Sequence, residues 1–116
     1  MDFDLIPEGK GFVYLLGEND RPGSYKIGVT RGTLKRRIKK LQTGNSNKIY
    51  VCRYYRTEHP FFIERQLHFK YKFCQIMNEW YELPDSDVFK FEDTCRGIES
   101  MIDIMKDNPF FPKKVN

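Results

Sequence analysis

No apolar run in this sequence approaches the roughly 18 residues that a membrane span needs. The opening residues, MDFDLIPEGKG, have neither the basic start nor the apolar stretch of an export leader. The expectation is therefore an intracellular protein, in cytoplasm or nucleus, including those of an infected host cell, with no membrane partner. Cysteine is scarce and its pattern unpaired. Cys52, Cys74 and Cys95 are odd in number, far apart and without CxxC spacing, which argues against a disulfide framework and a structural zinc site. Reduced thiols in a core are expected instead. Repeats, low-complexity tracts and linker-like shifts in composition are also missing. One domain is expected over residues 11–108, with a lead-in at 1–10 and a tail at 109–116.

What the chain does have is apolar and aromatic content. Of its 116 residues 40% are hydrophobic and 16% aromatic, enough to build one core despite the high charge. Lys and Arg outnumber Asp and Glu by 20 to 16, which favours an anionic partner without naming it. The distribution says more than the sum. Seven basic residues fall between Lys26 and Lys40, while acidic ones gather from Asp2 to Glu8 and from Glu79 to Asp107. The middle of the chain is the anion-facing part.

Gly11 to Leu16 is a continuous β-branched, aromatic and aliphatic run, suited to a strand buried on both faces. Turn formers fill Gly17 to Ser24, and Tyr25 to Val29 resumes as a strand, so the pair reads as an antiparallel hairpin. Thr30 or Thr33 caps a basic helix from Leu34 to about Gln42, which Thr43-Gly44-Asn45 ends. Lys48 to Arg56 reads as a third strand. Pro60 starts a second helix, Phe61 to about Met77. Trp80 to Leu83 is a short extended piece, and Asp85 or Ser86 caps a third helix that Pro109 stops. The sum is an α/β (α+β) fold: a small three-stranded antiparallel sheet flanked by about three helices.

On the first helix Leu34, Ile38 and Leu41 form one apolar stripe. Arg37 flanks that stripe, where it either holds a fixed geometry at the core edge or lays its stem over the sheet. Lys35, Arg36, Lys39 and Lys40 project further out. The second helix carries two apolar stripes, Ile63, Leu67, Tyr71 and Cys74 on one side and Phe62, Phe69, Phe73 and Ile76 on the other, so it is expected to meet two neighbours. Between them runs a polar strip with Glu64 and, one turn later, His68. An isolated Glu in such a strip is ordinarily a surface ion-pair residue. Tyr14 and Tyr25 read equally well as core aromatics.

The order of these pieces changes the reading. Gly11-Phe12-Val13-Tyr14, then Tyr25-Lys26-Ile27-Gly28, then Arg37 on the next helix and Glu64 on the one after, resemble the two signatures and the following residues of the GIY-YIG nuclease superfamily. Within it the chain looks most like a phage- and virus-associated branch with fungal members. The residues that carry this are the Lys26-Ile27-Gly28 second motif, Arg37-Ile38-Lys39-Lys40-Leu41-Gln42-Thr43-Gly44, Glu64-x-x-Leu67-His68, and Glu79-Trp80-Tyr81-Glu82-Leu83. Because Gly28 fixes the count, Lys26 rather than Tyr25 stands at the second Tyr position, and either residue is a candidate to take over its hydrogen bonding.

The resemblance implies a metal-dependent endonuclease acting on nucleic acid, DNA in the first instance. It implies that Glu64 holds one Mg²⁺ or Mn²⁺, a hard-cation role suited to a carboxylate. It further implies that Tyr14 orients or deprotonates water and that Arg37 holds the phosphate, with Tyr25, Lys26 and His68 as further site residues and Gly28 as the structural glycine. His68 is either a group that orients Glu64 or a core-edge histidine bonded to backbone. Asn78 and Trp80 lie where the family closes its site. No second acidic ligand stands out, so one metal is expected rather than two. Lys35, Arg36, Lys39 and Lys40 would line the nucleic-acid path. Specificity would come from the domain itself, from a homodimer or from a partner protein. Two rivals stand beside this reading: a catalytically silent nucleic-acid-binding module of the same fold, and a protein-interaction domain using Tyr54, Tyr55, Phe110 and Phe111.

Overall fold

The computed structural model describes residues 9–107, so the lead-in, the tail, the Pro109 stop, Phe110 and Phe111 lie outside the described residues. The chain folds as β1 (Gly11–Glu18), β2 (Ser24–Thr30), α1 (Leu34–Thr43), β3 (Ile49–Thr57), α2 (Pro60–Lys70), β4 (Gln75–Met77), β5 (Trp80–Glu82), α3 (Asp85–Phe89) and α4 (Phe91–Asp107). The result is α+β, with five antiparallel strands in the order β3-β1-β2-β5-β4.

The uninterrupted apolar run of β1 is explained by its place between β2 and β3 in the sheet, with α2 and α4 packed on one face and α1 on the other. Strand alternation sends its residues two ways. Val13 and Leu15 join Tyr25 and Ile27 in the larger core with Phe62, Ile63 and Leu67 of α2 and Phe91, Cys95, Ile98 and Ile102 of α4. Tyr14 and Leu16 face the other side, forming with Ile49 a small cluster against which Leu34, Ile38 and Leu41 of α1 pack. Thr33 starts α1, its Oγ1 accepting from the Arg36 N–H at 3.2 Å. The three cysteines are free, Cys95 fully buried.

Three expectations are corrected. The sheet has five strands, not three, because the stretch assigned to the end of the second helix leaves it early. α2 stops at Lys70, a 3-10 turn follows at Lys72–Cys74, and Gln75–Met77 becomes β4, paired with β5 around a two-residue turn at Asn78 and Glu79. Asn78 takes the left-handed φ of 52° that such a turn requires and that Asn tolerates. The second apolar stripe accordingly never forms. Phe62 is buried, but Phe69, Phe73 and Ile76 are 67%, 91% and 51% exposed. The third helix, finally, is two. α3 ends at Phe89, where the following Lys90 donates its N–H back to Ser86 at 3.1 Å, and it starts after Pro84 rather than at a side-chain cap.

Candidate active site at the open edge of the second strand

Tyr14 lies at the centre of β1, wholly buried, directly opposite Gly28 of β2. A Cβ on residue 28 would stand 2.6 Å from the Tyr14 hydroxyl oxygen and 2.7 Å from its ring. Glycine there is thus what lets the phenol lie flat across β2. The hydroxyl then accepts from Arg37 Nε at 3.1 Å. That bond, together with the Glu79 and Glu64 charges, raises the guanidinium's pKa against the cost of its partial burial. Of the two roles open to Arg37, the structure gives it a fixed geometry.

The same alternation separates Tyr25 from Lys26. Lys26 is paired with Leu16 on one side and with Trp80 on the other, so the three side chains form one row on the α1 face. Tyr25 points the opposite way into the larger core, where burial raises its hydroxyl's pKa. The expectation that Tyr25 shares the site is corrected: the position that faces Tyr14's side of the sheet is Lys26. Its Nζ meets Glu79 Oε2 at 2.9 Å.

β5 runs beside β2 only from Ser24 to Lys26, after which the Ile27 N–H gives its hydrogen bond to the Glu79 carbonyl at 3.1 Å. The Ile27 carbonyl, next on this edge, lies 3.2 Å from His68 Nε2. A carbonyl has no proton to give, so Nε2 carries it in this arrangement. Past that point, among the described residues, no strand pairs with the outer edge of β2. The site gathers at this opening, with α1 above one face and α2 behind the other.

Glu64 arrives from α2, whose Phe62, Ile63 and Leu67 are locked in the larger core. Its side chain is 19% exposed, and its carboxylate lies 3.9 Å from His68 Nε2. Burial first, and the neighbouring Glu79 carboxylate second, push it up to about 7, against the pull of Lys26 and Arg37. A ligand atom from each of Glu64, His68 and Glu79 lies within 4.8 Å of the others. Glu79 corrects the expectation of a lone acidic ligand. Two carboxylates so close, one of them partly buried, form an oxygen-rich donor set suited to a hard divalent cation. With Nε2 donating to Ile27, His68 could join them only through Nδ1.

The T5orf172 domain model matches residues 11–98, which takes in every one of these side chains. The chain belongs to the T5orf172 domain family. That family is GIY-YIG-like and nuclease-associated. No curated protein and no solved structure matches the chain.

In this T5orf172 domain the four outer cations of α1 divide. All are exposed. Arg36 and Lys40 line a cleft of about 380 Å³ with Arg37, Thr30 and Thr33, beside the site. Lys35 and Lys39 sit on the helix's other flank, with Lys48. The aromatic surface divides as well: Tyr54 is 52% exposed, whereas the Tyr55 hydroxyl donates to Glu99 at 2.6 Å and its ring packs on the core. Glu79 is the functional candidate that sequence reasoning missed. Its signal was its place at the head of the Glu79-Trp80-Tyr81-Glu82-Leu83 motif, to which no chemical role was given.

Proposed function

We propose that this T5orf172 domain is an endonuclease of the GIY-YIG branch with lysine in its second motif, hydrolysing phosphodiester bonds in nucleic acid, DNA first, with one Mg²⁺ or Mn²⁺. The observation that carries the reading is the convergence of Glu64, paired with Glu79, and the Tyr14–Arg37 hydrogen bond on one open strand edge. Glu64 and Glu79 would hold the cation, which when bound neutralises charge on the phosphoryl group and the leaving oxygen.

The chain's own residues supply the rest. Arg37 spends its Nε on Tyr14, so its terminal nitrogens are the pair left to grip a phosphate. Tyr14, having accepted that bond, keeps its own proton and a lone pair with which to orient water. Lys26 balances the second carboxylate and adds positive charge where the phosphate enters. His68 pins the Ile27 carbonyl and so fixes the edge next to Glu64.

Plasmid nicking in Mg²⁺ or Mn²⁺ tests this. Glu64→Ala and Arg37→Ala are each expected to slow nicking by roughly 10²–10³-fold, and EDTA to abolish it. If wild type and Glu64→Ala nick alike, or neither nicks any substrate in a panel of single-stranded, duplex and branched DNA, the domain is a silent binding module.

A further inference from the structure

The row Leu16–Lys26–Trp80 does not end at the catalytic edge. It forms one wall of an adjoining recess of about 370 Å³ that shares Lys26 and Arg37 with that site and is further lined by Lys40 and Leu41 of α1 and by Asn45 just beyond it. Trp80 is only partly buried, and nothing at the site just described uses its ring. Leu16 and Leu41 give the recess an apolar floor. Lys26, Arg37 and Lys40 add three cations to its lining. The Asn45 Oδ1 is held by the Asn47 N–H at 3.0 Å, which leaves its amide nitrogen to donate.

A flat apolar face, one hydrogen-bond donor and three cations describe one ligand chemistry: an aromatic heterocycle carrying a phosphate. The volume lies at the small end of ligand pockets, about 300–1,000 Å³, which suits a single nucleotide better than a peptide segment. We infer that this recess takes one unpaired nucleotide of the nucleic-acid substrate, its base against Trp80 and its phosphate among Lys26, Arg37 and Lys40. The inference rests on the nuclease reading and names the substrate class: nucleic acid with an unstacked base next to the cut. A base held in a duplex cannot reach behind α1 without being turned out of the stack, which is least costly in single strands, loops and mismatches.

Trp80 is the only tryptophan, so its fluorescence, excited where tyrosine does not absorb, reports this recess alone. Without divalent metal, a deoxynucleoside monophosphate should quench it saturably, and the same sugar phosphate lacking the base should bind roughly tenfold more weakly. A single-stranded oligonucleotide should quench it more strongly than its duplex at equal concentration. Trp80→Ala should weaken single-strand binding, followed by anisotropy of a labelled oligonucleotide, by roughly tenfold, and Trp80→Tyr should restore most of it. Equal quenching by nucleotide and bare sugar phosphate overturns the inference. So does equal quenching by single strand and duplex, quenching by the free nucleotide alone, or full binding by a folded Trp80→Ala protein. If that variant does not fold, the wild-type titrations decide. Base-dependent quenching in a protein that never nicks would retain the recess and sink the nuclease, and nicking without such quenching would do the reverse.

Discussion

The two faces of the sheet are built from the same strands and do opposite things. Behind β1 and β2, Val13, Leu15, Tyr25 and Ile27 are sealed under α2 and α4 into a continuous core. In front, α1 has no buried residue, and its Leu34, Ile38 and Leu41 cover Tyr14, Leu16 and Ile49 while staying only partly buried themselves. The dry face supplies the stability that a small domain needs. The thin face leaves room for polar groups, and there Tyr14, Lys26 and Arg37 are arranged. Glu64 links the two, because its helix is anchored in the dry core while its carboxyl emerges at the open edge. A site placed this way inherits the rigidity of a core to which it contributes little.

The comparison is broken most severely by removing volume from each side in turn. Leu67→Ala, in the sealed core, should cost about 2–5 kcal/mol in urea unfolding, since the wholly buried site cannot collapse around the lost atoms. Ile38→Ala, partly buried on the inner side of α1, should cost roughly 1 kcal/mol. Equal losses would mean that the α1 face is as much a core as the other.

Gly28→Ala is next. The added methyl overlaps Tyr14's buried ring, so the phenol must shift and its hydroxyl leaves the position that Arg37 Nε meets. Nicking should fall by about 10²-fold, the penalty of misplacing a reacting group by an ångström or so. Stability should fall by about 1–3 kcal/mol. A Gly28→Ala protein that nicks normally would show that the phenol's position across β2 is immaterial.

Why this much was legible in the sequence follows from the kinds of signal involved. Tyr14, Gly28 and Arg37 lie on regular elements, where alternation and helical spacing fix direction, and their order along the chain carried the resemblance. The same alternation decides between Tyr25 and Lys26, but only once it is known which face holds the site. Glu79 was not legible as a partner of Glu64, since it stands in a turn and meets Lys26 across 53 positions of sequence, a contact that no local period encodes. The α2 boundary failed for a related reason. Phe69, Phe73 and Ile76 continue a helical pattern, yet what decides their fate is the pairing of Gln75–Met77 with β5, a tertiary preference stronger than local propensity.

Glu64 sharpens the comparison through pH, because a carboxyl at the boundary of the two faces is disfavoured as an anion until a cation joins it. In the unfolded chain it titrates near 4.5, in the folded protein near 7. Between those values the folded state holds the extra proton, so stability is fully present below about pH 4.5 and declines as pH rises through 7. The loss should be on the order of 3 kcal/mol. Glu64→Gln should flatten this slope, and Mg²⁺ should offset it in wild type alone. A wild-type stability that is level from pH 5 to pH 8 in EDTA would remove the physical argument for a cation at Glu64.

The smallest effect tests whether the wet face is also the nucleic-acid face. Each phosphate contact a cation makes on a duplex releases counterions, and losing one lowers the slope of log K against log salt by about 0.9. Arg36→Ala and Lys40→Ala, whose side chains line the clefts beside Arg37, should each show a drop of this size. Lys35→Ala and Lys39→Ala, on the flank of the same helix toward Lys48, should leave the slope as it is. The four residues have similar charge and exposure and differ only in direction around one helix. The pattern of slopes therefore reports where the strand lies. If Lys35 and Lys39 carry the salt dependence instead, the nucleic acid passes over the outside of α1, away from Tyr14, and the open edge of β2 is not where it is cut.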